Sequence, residues 1–385
     1  MSQPIRKQVK PKKNEDFIYT LLVDGNSVMK QSLVDKRKND DGLEFGCVYQ
    51  SLICIGNVLQ KYDFNFCYVM FDGQDSGILR YNLYKDYKAN RDKNYDTFGQ
   101  SDYDRVLSKK YKSMLKWAKD KQHKQAFEED EDECFNRQRE WLFQFLDNLF
   151  VRTMIADMVE GDDLIASYVK NKKPNERIVI LTRDRDLTQL ISDEVMVYLS
   201  DLKQFIHPKN HQKVLGYCHE NVVVKKILCG DVSDNIKGIK GCGEMSLLKY
   251  FPSIVERRVT LDEIIDKAKE MNKEREASKK KPLKLLENIA NSVTDGMQGD
   301  KIYDINKQII DLSEPMLTKE ASEELEAMSY APMDSEGREM KNIFALIKEY
   351  KLNTLYDDKE FTNIFSKFNP LIKREKEYLK TCLKE

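Results

Sequence analysis

The sequence predicts an α/β fold, a parallel central sheet flanked by helices, followed by a helical C-terminal region. Four short apolar runs, Phe17–Val23 (FIYTLLV), Phe66–Phe71, Ile178–Leu181 and Val195–Leu199, have the length and continuity of buried strands. Between the first two, Leu43, Cys47, Leu52, Ile55, Val58 and Leu59 recur mostly at spacings of three, four or seven, which draws one apolar helical face. Strand, helix and strand in that order make a parallel crossover.

Further helices are expected at Arg139–Phe150 and Asp162–Lys170, the latter leading through the turn-forming Lys172-Lys173-Pro174-Asn175 into Ile178–Leu181. Beyond Asn221 strand signals fade, and Glu, Lys and Leu at helical spacing dominate. The expected units are a flexible basic N-terminus (1–15), an α/β core (16–205), a hairpin region (206–255) and a helical region (256–385). Within the last, Met271–Lys284 (MNKEREASKKKPLK) is polar, basic and interrupted by Pro282, and reads as a mobile loop or frayed helix ends.

Composition narrows the function. With 385 residues, 41% hydrophobic and 34% charged, the chain is neither disordered throughout nor a collagenous or disulfide scaffold. Its 64 Lys and Arg nearly cancel 65 Asp and Glu, so a uniformly basic surface is excluded and any field must come from segregated charge. That segregation lies at Arg80–Gln125, where thirteen Lys or Arg face six Asp, a surplus of seven, interleaved with Tyr81, Tyr84, Tyr87, Tyr95, Tyr103, Tyr111 and Trp117. The acidic run Glu128–Glu133 follows at once. No apolar run approaches the roughly 18–20 residues that span a bilayer, and MSQPIRKQVKPKK precedes no signal-peptide core. The expectation is a soluble, cytoplasmic protein with no membrane partner. Eight cysteines without a CxxC pair read as reduced thiols. His207, His211, Cys218 and His219 have spacings that can hold zinc, but HPKNHQ reads better as a solvated loop by its Pro and Asn content.

Acidic residues at strand ends carry the chemistry. Asp24 ends the first apolar run, Asp72 the second, Glu160-Gly161-Asp162-Asp163 opens a helix, and Asp184 and Asp186 follow the Ile178–Leu181 strand. In an open parallel sheet these ends line one crevice. Carboxylates brought so close repel one another unless cations neutralise them, and oxygen ligands suit magnesium or manganese. Two such ions about 4 Å apart can drive phosphodiester cleavage. Gly230–Glu244 then forms a helix-hairpin-helix pattern whose glycines allow close backbone approach to a phosphate. Asp231 and Asp234, three residues apart, share a face toward the metals.

Six motifs then stand together: VDGNS (Val23–Ser27), FDG (Phe71–Gly73), DYKANR (Asp86–Arg91), EGDDLIA (Glu160–Ala166), TRDRDLTQL (Thr182–Leu190) and GDVSDNIKGIKGCG (Gly230–Gly243). On them the sequence resembles the flap endonuclease/5'-3' exonuclease family, particularly its phage and bacterial members, including the phage enzymes called ribonuclease H. The resemblance covers about Val23–Tyr250 and implies a PIN-like 5' nuclease core with a helical arch at about 80–140. It implies that Asp24, Asp72, Glu160, Asp162, Asp163, Asp184, Asp186, Asp231 and Asp234 are the metal-binding acids, the last two mainly in a second site. Asp24, Asp72, Lys88 and Arg91 are the implied catalytic residues. The implied DNA contacts are Arg80, Tyr84, Lys85, Tyr87, Lys88 and Arg91 in the arch, and Lys237, Gly238, Lys240, Gly241 and Gly243 in the hairpin. Gly161 stands where the family usually has Ala.

The implied activity is a two-Mg2+ nuclease, with Mn2+ as substitute and K+ at the hairpin turn, acting on branched or nicked duplex DNA and RNA–DNA hybrids and removing RNA primers. A single-strand binding protein or sliding clamp is the implied replication partner, in a bacterial or phage-infected cell. A PIN-like ribonuclease has no need of the hairpin or the basic segment, and a non-catalytic branched-DNA-binding module does not fit acidic positions that are all intact. Tyr84 and Tyr87 are expected to stack on the unpaired strand, and Tyr95–Glu133 to become ordered on DNA.

Overall fold

A computed structural model describes residues 17–89, 131–294, 297–298 and 301–383. The expected α/β architecture is present. Strands β1 (Ile18–Asp24), β2 (Phe66–Asp72), β3 (Arg152–Ala156), β4 (Glu176–Thr182), β5 (Val195–Leu199) and β6 (Gln204–Ile206) form one sheet in the order β3-β2-β1-β4-β5-β6. All neighbours are parallel except β6, which runs antiparallel at the edge.

The apolar runs form strands because alternate side chains can be buried on opposite faces. From β1, Leu21 and Val23 enter the core on one face, with helices α1 (Gly25–Ser32), α2 (Gly46–Leu59) and α4 (Glu131–Asn148). Leu22 enters the core on the other, beneath α5 (Gly161–Lys170). Each such fully buried side chain contributes roughly 1.5–3 kcal/mol. Acidic Glu131, Asp132 and Glu133 sit in the first turn of α4, where the helix dipole favours them.

Strands β3 and β6 were not among the expected ones. RTMIA in β3 is short and its alternate residues are only partly buried, and its Arg152 is buried by an ion pair with Glu375 on the C-terminal helix. Short helix α3 (Ile78–Leu83) follows β2; residues 90–130, which hold Arg91 and nearly all of Tyr95–Glu133, lie outside the described residues.

Past the sheet come α6 (His211–Leu215), α7 (Val222–Cys229), α8 (Glu244–Tyr250), α9 (Ser253–Glu256), α10 (Leu261–Ala277), α11 (Lys284–Ala290) and α12 (Lys301–Ile310). They share a third core, to which Tyr84 and Tyr87 also belong. The segment 271–284 is part helix and part loop: α10, started by a capping box between Thr260 and Glu263, continues to Ala277, and 278–283 connect it to α11. Asn272 then clamps the turn, exchanging hydrogen bonds with Leu283 O (3.2 Å) and Leu283 N (2.9 Å).

The expected helical C-terminal region is present, and its helices divide among the three cores. Helix α13 (Lys319–Met328) joins the core on one sheet face, while α14 (Met340–Glu349), α15 (Asp358–Phe365) and the start of α16 (Asn369–Cys382) join the other through Ile343, Leu346, Phe365 and Leu371. Among the described residues no helix is long and apolar enough to cross a membrane.

Candidate metal centre

The sheet order reverses between β1 and β4, and at that switch point their carboxyl ends lie side by side. Asp24, the last residue of β1, also caps α1: its carboxylate accepts Ser27 N–H (2.9 Å) and Thr182 Oγ1–H (2.7 Å). Thr182 ends β4 and accepts Asp184 N–H in turn (2.8 Å), so one hydroxyl sets two acids. Asp184 accepts Asp186 N–H (2.8 Å).

On the neighbouring strand, Asp72 accepts Gly161 N–H at 2.9 Å, which ties the end of β2 to the first turn of α5. A Cβ at position 161 would sit 3.4 Å from Asp72 Oδ1 and 3.3 Å from Met70 O, so glycine lets this turn close on the strand. In the hairpin, Gly230 (φ +75°) caps α7, and Gly238 lies so close that a Cβ there would fall 2.2 Å from Cys229 C. That contact closes the hairpin around the Asp231–Asn235 loop, whose arms pair Gly230 with Lys237 and Asp231 with Ile236. Asp231 accepts both Ser233 N–H (2.8 Å) and Ser233 Oγ–H (2.6 Å).

These acids converge on one cavity of about 710 Å³, lined by Asp24, Asp72, Glu160, Asp162, Asp184, Asp186, Asp231 and Asp234. Among the described residues one group of three or more potential metal donors lies within 4.8 Å of one another: Asp186, Asp231 and Asp234.

The electrostatics divide the cavity. Burial, with Asp72 and Asp184 facing it, pushes Asp24 up to about 7 despite its two hydrogen bonds. Asp162 is raised well above the carboxylate range by burial and by Asp24, Asp184 and Asp72. Burial and Asp184 likewise raise Asp186 to about 7. Elsewhere a cation outweighs burial. Lys88 and Arg80 hold Glu160 at about 2, and Lys226 holds Asp231 at about 2. The donors are nearly all carboxylate oxygens, and buried Asn26 Oδ1 beside them has no hydrogen-bond partner. Such a set fits hard divalent cations.

Several expected site residues lie elsewhere. Asp163 turns away from the cavity: wholly buried, its carboxylate pairs with the Arg80 guanidinium, and Oδ1 also accepts Met316 N–H (2.9 Å). Arg80, expected on DNA, is 5% exposed and spans Asp163, Glu160 (2.8 Å) and Ile309 O (2.8 Å). Tyr84 and Tyr87 are buried rather than offered for stacking, and Tyr87 O–H donates to Glu160 (3.0 Å). Lys88 does reach the site: its Nζ pairs with Glu160 and lies 3.9 Å from Asp234. Lys85, Lys237, Lys240, Gly241 and Gly243 are exposed, and Gly238 is half-buried.

Sequence reasoning missed Asn26, Thr182 and Lys226, all next to acids it did find. The solvated-loop reading of the histidines also needs correction. His211 and His219 pack edge to face at 4.5 Å, both buried, with three of their ring nitrogens unpartnered. Among the described residues no third donor joins them, and the pair reads as core packing rather than a zinc site.

Comparison with known proteins agrees with this geometry. Residues 19–217, just over half the chain, match the family described as 5'-3' exonuclease, N-terminal resolvase-like domain. A 5'-3' exonuclease of Mycoplasmopsis pulmonis is 26% identical over 300 residues, covering 77% of this chain and 82% of the relative. The DNA polymerase I of Bacillus subtilis is 24% identical over 258 residues, which is 64% of this chain but 25% of the polymerase. In fold, the chain is similar to a bacteriophage T5 flap endonuclease solved with DNA and metal ions (TM-score 0.52, 16% identity, 88% of this chain and 98% of that one). The T5 5'-exonuclease with bound divalent metal ions gives a TM-score of 0.51 at the same identity and coverage. With a family match to just over half its length, the chain belongs to the 5'-3' exonuclease family and is a nuclease, a phosphodiester hydrolase.

Proposed function

We propose that the chain is a Mg2+-dependent, structure-specific 5' nuclease that cleaves a 5' end or flap on branched or nicked duplex DNA, and RNA on RNA–DNA hybrids, leaving a 5'-phosphate. Removal of RNA primers during replication is the task this activity serves. The observation that carries the reading is the convergence of acids from β1, β2, β4, the start of α5 and the hairpin on one cavity. Bound Mg2+ would polarise the scissile phosphate and lower the pKa of the attacking water. Asp24, Asp72, Asp162 and Asp184 would hold one ion and Asp186, Asp231 and Asp234 the other, with Mn2+ as substitute. Lys88 places a positive charge at the cavity edge toward the phosphate, and Thr182 fixes the carboxylates of Asp24 and the loop of Asp184. The exposed turn Lys237–Gly243 would grip duplex phosphates through backbone amides and two lysines, with K+ at the turn. A labelled 5' flap, a nicked duplex and single-stranded RNA, each with Mg2+ and with EDTA, test the proposal. Cleavage of the first two with Mg2+ alone is expected; preference for RNA alone, or tight binding without cleavage, overturns it.

Two further results are expected. Neutralising Lys237 and Lys240 together should weaken binding to every sequence alike and reduce the slope of log affinity against log salt by about 2, since each phosphate contact on duplex DNA carries ~0.9. An unchanged slope in an anisotropy titration would remove the hairpin lysines from the interface. Second, with folded values near 7, Asp24 and Asp186 cost stability once ionised; that cost is complete at pH 8 and relieved as pH falls through 7. Adding Mg2+ to chelator-treated protein should therefore raise Tm more at pH 8 than at pH 6. An equal rise at both would show that the ion does not meet these carboxylates.

A further inference from the structure

Lys226 projects from α7, three residues before the helix ends at Cys229, into the acidic cavity. Its Nζ pairs with both Asp186 and Asp231. These are two of the three carboxylates that come within 4.8 Å of one another. The side chain is 21% exposed, so its flexible four-carbon stem has open cavity to swing into. The other half of the cavity differs: among the described residues, no Lys or Arg forms an ion pair with Asp24, Asp72, Asp162 or Asp184.

We propose that Lys226 is a built-in counter-cation of the Asp186–Asp231–Asp234 half, which a divalent ion must displace before that half can be loaded. The proposal rests on the two-cation reading above and adds an order to it. An ammonium in contact with two carboxylates and a divalent ion bound to the same oxygens are like charges a few ångströms apart, so the two compete. Among the described residues the half formed by Asp24, Asp72, Asp162 and Asp184 has no cation in such contact, and it fills first. Lys226 thereby sets a threshold: the centre is complete only where divalent ion is abundant enough to evict the lysine. By linkage, whatever draws the ammonium away tightens this half for its ion by the same factor by which the ion releases the ammonium. Lys226 is a positioning residue here, acting through the carboxylates it covers.

The test is Mn2+ binding to the whole protein without nucleic acid, counting free ion by its electron paramagnetic resonance signal. Wild type should bind one ion tightly and a second more weakly. In Lys226→Met the second affinity should rise by about tenfold or more, ~1.4 kcal/mol, while the first stays unchanged; Lys226→Arg should keep the second weak. A second affinity unaltered in Lys226→Met overturns the role of Lys226 and leaves the two-cation reading standing. Binding of no ion by any of the three proteins overturns both. Should Lys226→Met not fold, the side-chain ammonium resonance of Lys226 in wild type decides: it should shift with the second equivalent of a diamagnetic ion such as Mg2+ and not with the first. A resonance that follows the first equivalent, or neither, overturns the proposal.

Discussion

Replacing Asp72 with Asn is expected to lower the single-turnover cleavage of a 5' flap by roughly 10²–10³-fold or more, the scale seen when a preorganised electrostatic group is lost from an active site. The substitution isolates charge from shape. The carboxylate of Asp72 accepts Gly161 N–H at 2.9 Å, and an amide oxygen can accept the same bond, so the join between β2 and α5 survives. What is lost is one of the negative charges facing Asp24 and Asp162. In the absence of divalent ion the variant should be at least as stable as wild type, because a repulsion has been removed from a buried cluster. Flap affinity in EDTA should change little, since the exposed lysines of the hairpin are untouched. Near-normal turnover, measured on protein with wild-type Tm, would remove Asp72 from the chemistry and with it the assignment of the β1–β2–β4 end as the reaction centre.

Asp24 and Asp72 were legible in the sequence because each marks the end of a buried run, and burial is what an apolar run records. Asp24 after FIYTLLV and Asp72 after an unbroken apolar segment could hardly lie anywhere but at the carboxyl end of a strand. Strand β3 was not legible for the converse reason. It begins with Arg152, a residue that reads as exposed, and the Glu375 that buries it lies 223 positions later. Arg80, Tyr84 and Tyr87 misled in the same way. Their neighbours are basic and aromatic, which suggested a nucleic-acid face, but the hairpin and α12 fold over them from far along the chain. Asp163 follows Asp162 in one motif, yet successive residues near a helix start point about 100° apart, and Asp163 faces Arg80. Lys226 shows the limit of motif reading: a lysine on a helix is an ordinary surface residue, and the approach of Asp186, from the turn after β4, and of Asp231 gives it a role.

Arg80→Met carries the largest expected loss of stability, about 3–5 kcal/mol, because it breaks a buried ion-pair network by removing one side of it. Asp163, wholly buried, would keep only Met316 N–H, while Ile309 O would lose its donor and α12 its tie to the acid cluster. A carboxylate stranded in this way has its folded pKa raised, so its cost is full above that value and is relieved as pH falls. The deficit against wild type should therefore shrink between pH 8 and pH 5. Removing both partners tests the mechanism: Arg80→Met combined with Asp163→Leu should recover much of the loss, since two apolar groups of similar size leave no stranded charge in that pair. The same variants decide between a structural and a DNA-binding Arg80. Its guanidinium, 5% exposed, is taken up by Asp163, Glu160 and Ile309 O, so the salt slope of flap binding should match wild type in any variant that folds. A variant of undiminished stability whose salt slope fell by about 1 would place Arg80 on the DNA instead.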